Sequence, residues 1–350
     1  MMRDRPRTAT ALGWLTDLEP REFAEQCWGR SPHLATAARR GGAEPVPGFP
    51  SVALSPPGAA PGTELFSLAA AEELITRRGL RTPFLRMVRD GQTLPKARFT
   101  SGGGVGATIT DQIDDAAVAE LFRDGTTAVL QGLHRTWAPI TDFSHALAGE
   151  LGHPVQANAY VTPSASQGFS AHYDVHDVFV LQVHGSKEWT IHPPVRPHPL
   201  RDEPWGERAE EVRRAAEAEP LLRVTLEPGD CLYLPRGFIH SARALGGTTV
   251  HLTLGVHTWT NHHVATALGE SALAMLADQE WVRESLGPTA TVGETAAVQS
   301  DLDRVREALI EAVRRVPDDE LAAVLAARAR DSMRAEPVAV FADEPAGGRP

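Results

Sequence analysis

Gly229-Asp230-Cys231-Leu232-Tyr233-Leu234-Pro235-Arg236-Gly237-Phe238-Ile239-His240 reads as a turn, a four-residue apolar strand and a second turn that delivers a histidine. Similar runs surround it. Ala128 to Leu130, Val155 to Val161, Val178 to Val183, Trp189 to Ile191, Leu221 to Leu226, Cys231 to Leu234 and Val250 to Trp259 are short, β-rich and divided by Gly and Pro. Many short strands between Thr126 and Trp259, with no crossover helices, imply a β-sandwich or barrel.

Ten of the 14 histidines fall between His172 and His263, so metal chemistry is sought there. His172-Tyr173-Asp174 is the sharpest local signal. On a strand, residues i and i+2 share a face with Cα atoms about 6.6 Å apart, close enough for imidazole and carboxylate to meet one ion. His176 shares that face but lies roughly 13 Å along an extended strand from His172, which makes convergence of all three difficult. A third ligand from another strand fits better, and His240 supplies it. His251 is the rival: it sits on a strand whose apolar face carries Val250, Leu252, Leu254 and Val256, while His251, Thr253 and His257 lie opposite. His240 is preferred, with His251 as cavity lining. Two His and one Asp form a facial set that leaves positions open on ferrous iron. A lone His-x-Asp is common by chance; the second histidine-bearing run gives the pair its weight.

The chain has 350 residues, with 34 basic against 45 acidic side chains and a formal net charge of -11. Its 42% hydrophobic and 23% charged residues suit a folded, water-soluble protein of one or two domains. An acidic balance argues against direct nucleic-acid binding, which needs clustered Lys and Arg. Cys27 and Cys231 lack CxxC spacing and read as buried small hydrophobes, so no disulfide framework is expected. With no signal-like h-region and no run of membrane-spanning length, the cytoplasm is the expected location and no membrane partner is expected.

Residues 1–125 read as an N-terminal helical and mixed region. Six prolines crowd its loop at 45–62, and helices are expected at 68–78 and 114–125. Gly102, Gly103, Gly104 and Gly106 have no Lys-Ser/Thr signature or βαβ context, so they read as a turn rather than a phosphate loop. The β core is placed at 126–260, with a helix from Thr141 to Gly152 and a helical insertion from Ala209 to Glu219. Residues 261–335 read as helices, including one opened by a Ser300–Asp303 capping box. They can form a hairpin that buries its apolar stripe on the barrel or in a homodimer. Residues 336–350 read as a disordered tail.

Together these runs resemble the paired motifs of cupins, and more narrowly the JmjC oxygenases of the ribosomal oxygenase type. The resemblance is dense over Asn158-Ala-Tyr160-Val-Thr162-Pro163, Ser166-Gln167-Gly168-Phe169, His172-Tyr-Asp174, Asp177-Val-Phe-Val-Leu-Gln182, Gly185-Ser-Lys187-Glu-Trp189 and Gly229 to His240. A weaker likeness includes Phe23, Trp28 and Arg81-Thr-Pro-Phe-Leu85, so about two-thirds of the chain takes part. The resemblance implies a mixed α and β protein with a double-stranded β-helix (jelly-roll) core that binds Fe(II) and 2-oxoglutarate. It implies that Lys187 grips the far carboxylate of 2-oxoglutarate and that Asn158, Tyr160 and Thr253 line the cosubstrate pocket. Gly255 stands where the family often has a hydroxyl. If Gly185-Ser186 is a two-residue hairpin turn, His184 faces Lys187 and unbroken alternation puts both on the His172 and Asp174 face.

The function implied is that of a 2-oxoglutarate-dependent dioxygenase, a hydroxylase of a protein or peptide side chain, with a ribosomal protein favoured. The same chemistry on a small metabolite or biosynthetic peptide is the alternative, and a non-catalytic metal-binding cupin scaffold is the third reading. Nothing in the residues reveals a methyl-lysine pocket for demethylation.

Overall fold

Alternation gives each strand two faces, and the register of the ladders selects the face that meets the site. The structure, a computed structural model, describes residues 10–40, 64–89, 91–106, 108–164, 166, 170–286 and 295–333. The Pro-rich loop at 45–62, Gln167-Gly168-Phe169, the Gly287-Pro288 pair expected to stop the first helix after Asn261, and the tail from 336 lie outside the described residues.

The chain divides into two compact units, Met1–Thr258 and Trp259–Pro350. The first contains β1 (His33–Ala35), β2 (Leu85–Arg89), β3 (Gln92–Thr93), β4 (Thr100–Ser101), β5 (Gln112–Ile113) and β6 (Thr127–Leu130). It continues with β7 (Val155–Thr162), β8 (Asp177–His192), β9 (Leu222–Leu226), β10 (Cys231–Leu234) and β11 (Ile239–Val256). Hydrogen-bonded neighbours follow the order β1-β10-β8-β11-β7-β6-β2-β3, with β9 also on β8.

β8 and β11 are long enough to serve two faces. The first half of β8 lies between β10 and the end of β11, and its second half between β9 and the start of β11. Two long strands shared in this way build the expected double-stranded β-helix.

One expectation is corrected. Gly185-Ser186 is not a hairpin turn; it lies inside β8. Gly185 has φ +61, and a Cβ there would stand 2.5 Å from the Thr248 carbonyl oxygen, so glycine lets β8 run on where β11 crosses closely. The ladder slips beside it: Val250 pairs with His184 and His251 with Gln182, leaving Val183 as the extra residue. The slip switches the inward face from Val178 and Val180 to Lys187 and Trp189, and leaves His184 exposed.

Helices close the outside. Leu68–Arg77 and Asp115–Arg123 start at Ser67 and Asp114, whose side chains accept backbone N–H bonds. Ala138–Leu151 begins earlier than Thr141 because Pro139 is tolerated in a first turn, and it ends at left-handed Gly152. The insertion helix spans Ala209–Ala216. Phe23, from the helix Pro20–Gln26, packs 4.8 Å from Tyr233 and 5.8 Å from Phe179. Full burial of Phe23 and Phe179 contributes about 1.5–3 kcal/mol each. Cys27 and Cys231 are buried and not disulfide-bonded.

In the second unit, the helices Asn261–Ala277, Thr295–Arg315 and Asp318–Ser332 share an apolar cluster around Ala272, Leu276, Ala312 and Val316. Ser300 caps nothing: the helix starts at Thr295, so Ser300 lies within it. Leu302 and Val305, apolar residues of the helix Thr295–Arg315, are exposed. Among the described residues, no helix is long and apolar enough to cross a membrane.

Candidate metal centre

His172 and His240 face one another across an isolated antiparallel bridge. His172 N–H donates to His240 O at 3.1 Å, and His240 N–H returns the bond to His172 O at 2.8 Å. Gly237 N–H donates to Asp174 O at 3.0 Å, tying the turn before His240 to the third residue. Asp177, fully buried, accepts from Tyr233 Oη at 2.5 Å and Arg236 N at 3.1 Å, which pins the start of β8 to the same turn. The segment around His172 is thus a single bridge and a bend rather than a regular strand.

This arrangement brings one ligating atom from each of His172, Asp174 and His240 within 4.8 Å of the others. His240 Nε2 stands 3.7 Å from Asp174 Oδ2. Nδ1 of His172 is 2.8 Å from Ser170 O and Nδ1 of His240 is 3.0 Å from Phe238 O. Nδ1–H donation to those carbonyls leaves each Nε2 lone pair for a metal, the usual support of a ligating histidine. Burial, then His172, pushes the His240 pKa down to about 4, so its imidazole is neutral near pH 7. Burial opposes ionisation of Asp174, but His176, His240 and His172 outweigh it and hold its carboxyl below the ordinary range. One carboxylate and two imidazole nitrogens on one wall fit a divalent ion that keeps open positions.

The donors open into a cavity of about 370 Å³ that also holds Lys187, Tyr160, Thr253 and His251. Lys187 is 3% exposed, with Nζ 3.1 Å from Thr162 Oγ1 and 3.3 Å from His251 Nδ1. Burial without a carboxylate partner pushes its pKa down to about 7. His251 stacks on Tyr160 at 4.8 Å. Burial, then Lys187, holds its pKa well below the ordinary value, so a neutral Nδ1 accepts from the Lys187 ammonium. Burial first, then Asp174, pushes the Tyr160 hydroxyl up to about 12, which keeps it a neutral donor.

Asn158 does not line this cavity. Its Oδ1 accepts the Gly132 N–H at 3.1 Å, so its carboxamide holds the turn after β6. His176 stays outside the three-donor group, with Nε2 3.4 Å from Gln156 Nε2. Gly255 leaves room for both: a Cβ there would lie 3.0 Å from His176 Cε1 and 3.1 Å from Gln156 Cγ.

The sequence reading missed Thr162, Thr127 and Arg86, all in the lining. Thr162 was recoverable, since it continues the alternation of Asn158 and Tyr160. Arg86 was not, because its place depends on how β2 pairs with β6.

Residues 138–264 match the family profile described as the JmjC domain. Ribosomal oxygenase 1 of Bos taurus is 35% identical over 176 residues, covering 49% of this chain and 26% of that protein. Ribosomal oxygenase 1 of Gallus gallus is 29% identical over 315 residues, covering 88% and 47%. The chain therefore spans between about a quarter and a half of these curated relatives. The Escherichia coli ribosomal oxygenase YcfD, solved with cobalt and succinic acid, aligns with a TM-score of 0.50 at 16% identity, covering 87% of this chain and 69% of that one, a likeness of fold. Residues 138–264 of this chain accordingly match a JmjC domain, and the curated relatives this stretch resembles are ribosomal oxygenases.

Proposed function

We propose that this chain is an Fe(II)- and 2-oxoglutarate-dependent oxygenase that hydroxylates a protein side chain, with a ribosomal protein as its substrate. The observation that carries the reading is one cavity holding the three-donor group together with the buried ammonium of Lys187. His172, Asp174 and His240 hold the metal. Lys187 takes the far carboxylate of 2-oxoglutarate, which restores the ionic partner that its burial lacks. Thr162 and His251 aim Nζ, and the Tyr160 and Thr253 hydroxyls line the wall beside it. When bound, iron with 2-oxoglutarate supplies the oxidising chemistry from dioxygen and releases succinate and carbon dioxide. Trp189 and Trp205 flank the cavity as apolar walls that limit water.

Anaerobic reconstitution with Fe(II) and 2-oxoglutarate is the test. The expected result is a visible iron-to-cosubstrate charge-transfer band, followed by succinate on admitting air. No band and no succinate would instead favour a metal-binding scaffold. Incubation with ribosomal proteins and with cell metabolites, read by mass spectrometry, tests the substrate: oxygen inserted only into metabolites removes the ribosomal assignment. For the helical unit we attach a homodimer to the exposed Leu273, Leu302, Val305 and Ile310; light scattering at the 37.7 kDa monomer mass removes it.

A further inference from the structure

Of the 34 basic side chains only two are lysine, Lys96 and Lys187, and they lie in opposite settings. Lys96 is exposed, whereas Lys187 is buried in the wall of the metal cavity. Arginine keeps its proton at any ordinary pH; lysine can present a neutral, nucleophilic amine once desolvation disfavours its charge. On the flanking strands, buried Ala244 of β11 and Leu226 of β9 stand opposite Lys187. Its Nζ meets Thr162 Oγ1 at 3.1 Å and His251 Nδ1 at 3.3 Å, both uncharged. Burial lowers its pKa to about 7, so about half of the amine is neutral at pH 7, against fewer than about one in a thousand for a solvated lysine. The neutral amine has a free lone pair, and a cavity of about 370 Å³ lies beside it.

Carbon dioxide fits this setting. It is small and uncharged, so it enters a desolvated site without the penalty an ion meets, and an unprotonated amine attacks it directly. The Nζ lone pair forms a bond to carbon, one C=O π pair moves onto oxygen, and the nitrogen gives a proton to the buffer: R–NH2 + CO2 → R–NH–COO− + H+. Nothing is oxidised or reduced, and the reverse step restores the amine. The charged and titratable groups that share this cavity are Arg86 on β2, Tyr160 on β7, His240 and His251 on β11, and His172 and Asp174 before β8. Of these, the Arg86 guanidinium brings positive charge and the neutral Tyr160 hydroxyl a donor for a new anion, and Thr127, Thr162 and Thr253 add further hydroxyls.

We propose that Lys187 is a reversible carbon dioxide site, whose amine becomes a carbamate when the cosubstrate is absent and so closes the pocket to 2-oxoglutarate. The modification replaces a cation by an anion where the far carboxylate would dock. Carbamate formation needs only the buried amine; the competition with 2-oxoglutarate rests on the oxygenase reading above, which also makes carbon dioxide a product released in this cavity.

The test reads the adduct itself. Full-length protein with Mn(II) and no cosubstrate is equilibrated with isotope-labelled bicarbonate at pH 8, treated with triethyloxonium, which traps a carbamate as its ethyl ester, and mapped by tandem mass spectrometry. The labelled ethoxycarbonyl group is expected on Lys187 and not on exposed Lys96, which controls for unselective reaction, and saturating 2-oxoglutarate is expected to suppress it. Calorimetry then compares 2-oxoglutarate binding with bicarbonate and with acetate, an anion that cannot form a carbamate, at equal ionic strength. At a fixed carbon dioxide pressure, bicarbonate is expected to weaken binding about threefold or more at pH 8 and little at pH 6, where the amine is protonated. Lys187→Arg keeps a cation that cannot carry the group, and its 2-oxoglutarate binding is expected to ignore bicarbonate; if that variant is unfolded or does not bind, the wild-type map still decides. No label on Lys187, equal label on both lysines, or acetate that weakens binding as much as bicarbonate overturns the proposal. The two readings fail separately: label on Lys187 without any 2-oxoglutarate binding supports the carbon dioxide site and fails the oxygenase reading, whereas 2-oxoglutarate binding without label fails the carbon dioxide site alone.

Discussion

Raising the pH from 6 to 8 removes the proton from Lys187 in the free protein, and 2-oxoglutarate affinity is expected to fall with it. The ammonium is 3% exposed, its neighbours Thr162 and His251 are both uncharged, and its pKa sits at about 7 instead of 10.5. The ligand is a dianion across this range and needs the charged form. With the bound-state pKa restored towards 10 by a carboxylate partner, the apparent dissociation constant scales as 1 + 10^(pH − 7), about tenfold weaker at pH 8 than at pH 6. Neither His251 nor His240 titrates in this window, since both are held low by burial. The same fall in pKa bears on folding. Lysine in the unfolded chain binds its proton up to about pH 10.5, so the buried site costs the ligand-free fold about 5 kcal/mol below pH 7, and the cost fades as pH rises towards 10.5. Lys187→Met is therefore expected to melt above the wild type at pH 7 without ligand, by a margin that narrows towards pH 10, and to lose its response to 2-oxoglutarate. Isothermal calorimetry at saturating Mn(II) between pH 6 and pH 8, with melting curves of both proteins, checks this. An affinity that is flat or rises with pH, or a Lys187→Met protein that binds 2-oxoglutarate normally, refutes the reasoning.

Asp174→Ala is expected to lose stoichiometric metal, measured by elemental analysis, while keeping the apo melting temperature within a few degrees, because the carboxylate supplies a ligand atom rather than packing. Gly185→Ala forces a Cβ to 2.5 Å from Thr248 O at φ +61; a loss of about 2–4 kcal/mol in chemical denaturation is expected, with weakened 2-oxoglutarate binding through displaced Lys187. Tyr233→Phe removes the 2.5 Å bond to buried Asp177 and the acceptor for Gly29 N–H, which is expected to cost about 2–3 kcal/mol by the same assay.

The sequence carried the donors of the candidate site because each lies in a local pattern: His172 and Asp174 two residues apart, and His240 at the end of a turn-strand-turn run. The jelly-roll core was likewise legible from short strands with Gly and Pro between them. What escaped depends on pairing between distant segments. Gly185-Ser186 has the composition of a hairpin turn, and only the crossing of β8 with β11 at Thr248 makes it the middle of a strand. Asn158 shares a face with Tyr160, but the Gly132 N–H that occupies its carboxamide comes from another element. Ser300 has a capping spacing, yet the residues before it are already helical. Arg86 carries no motif; two successive ladders bring it to the cup.

Crystals grown with Mn(II) and 2-oxoglutarate, examined by anomalous diffraction, test the central claim most directly. The expected map has one metal peak bonded to Nε2 of His172, a carboxylate oxygen of Asp174 and Nε2 of His240, with 2-oxoglutarate reaching Lys187. A peak bound instead through His251 or His176, or 2-oxoglutarate seated away from Lys187, contradicts it.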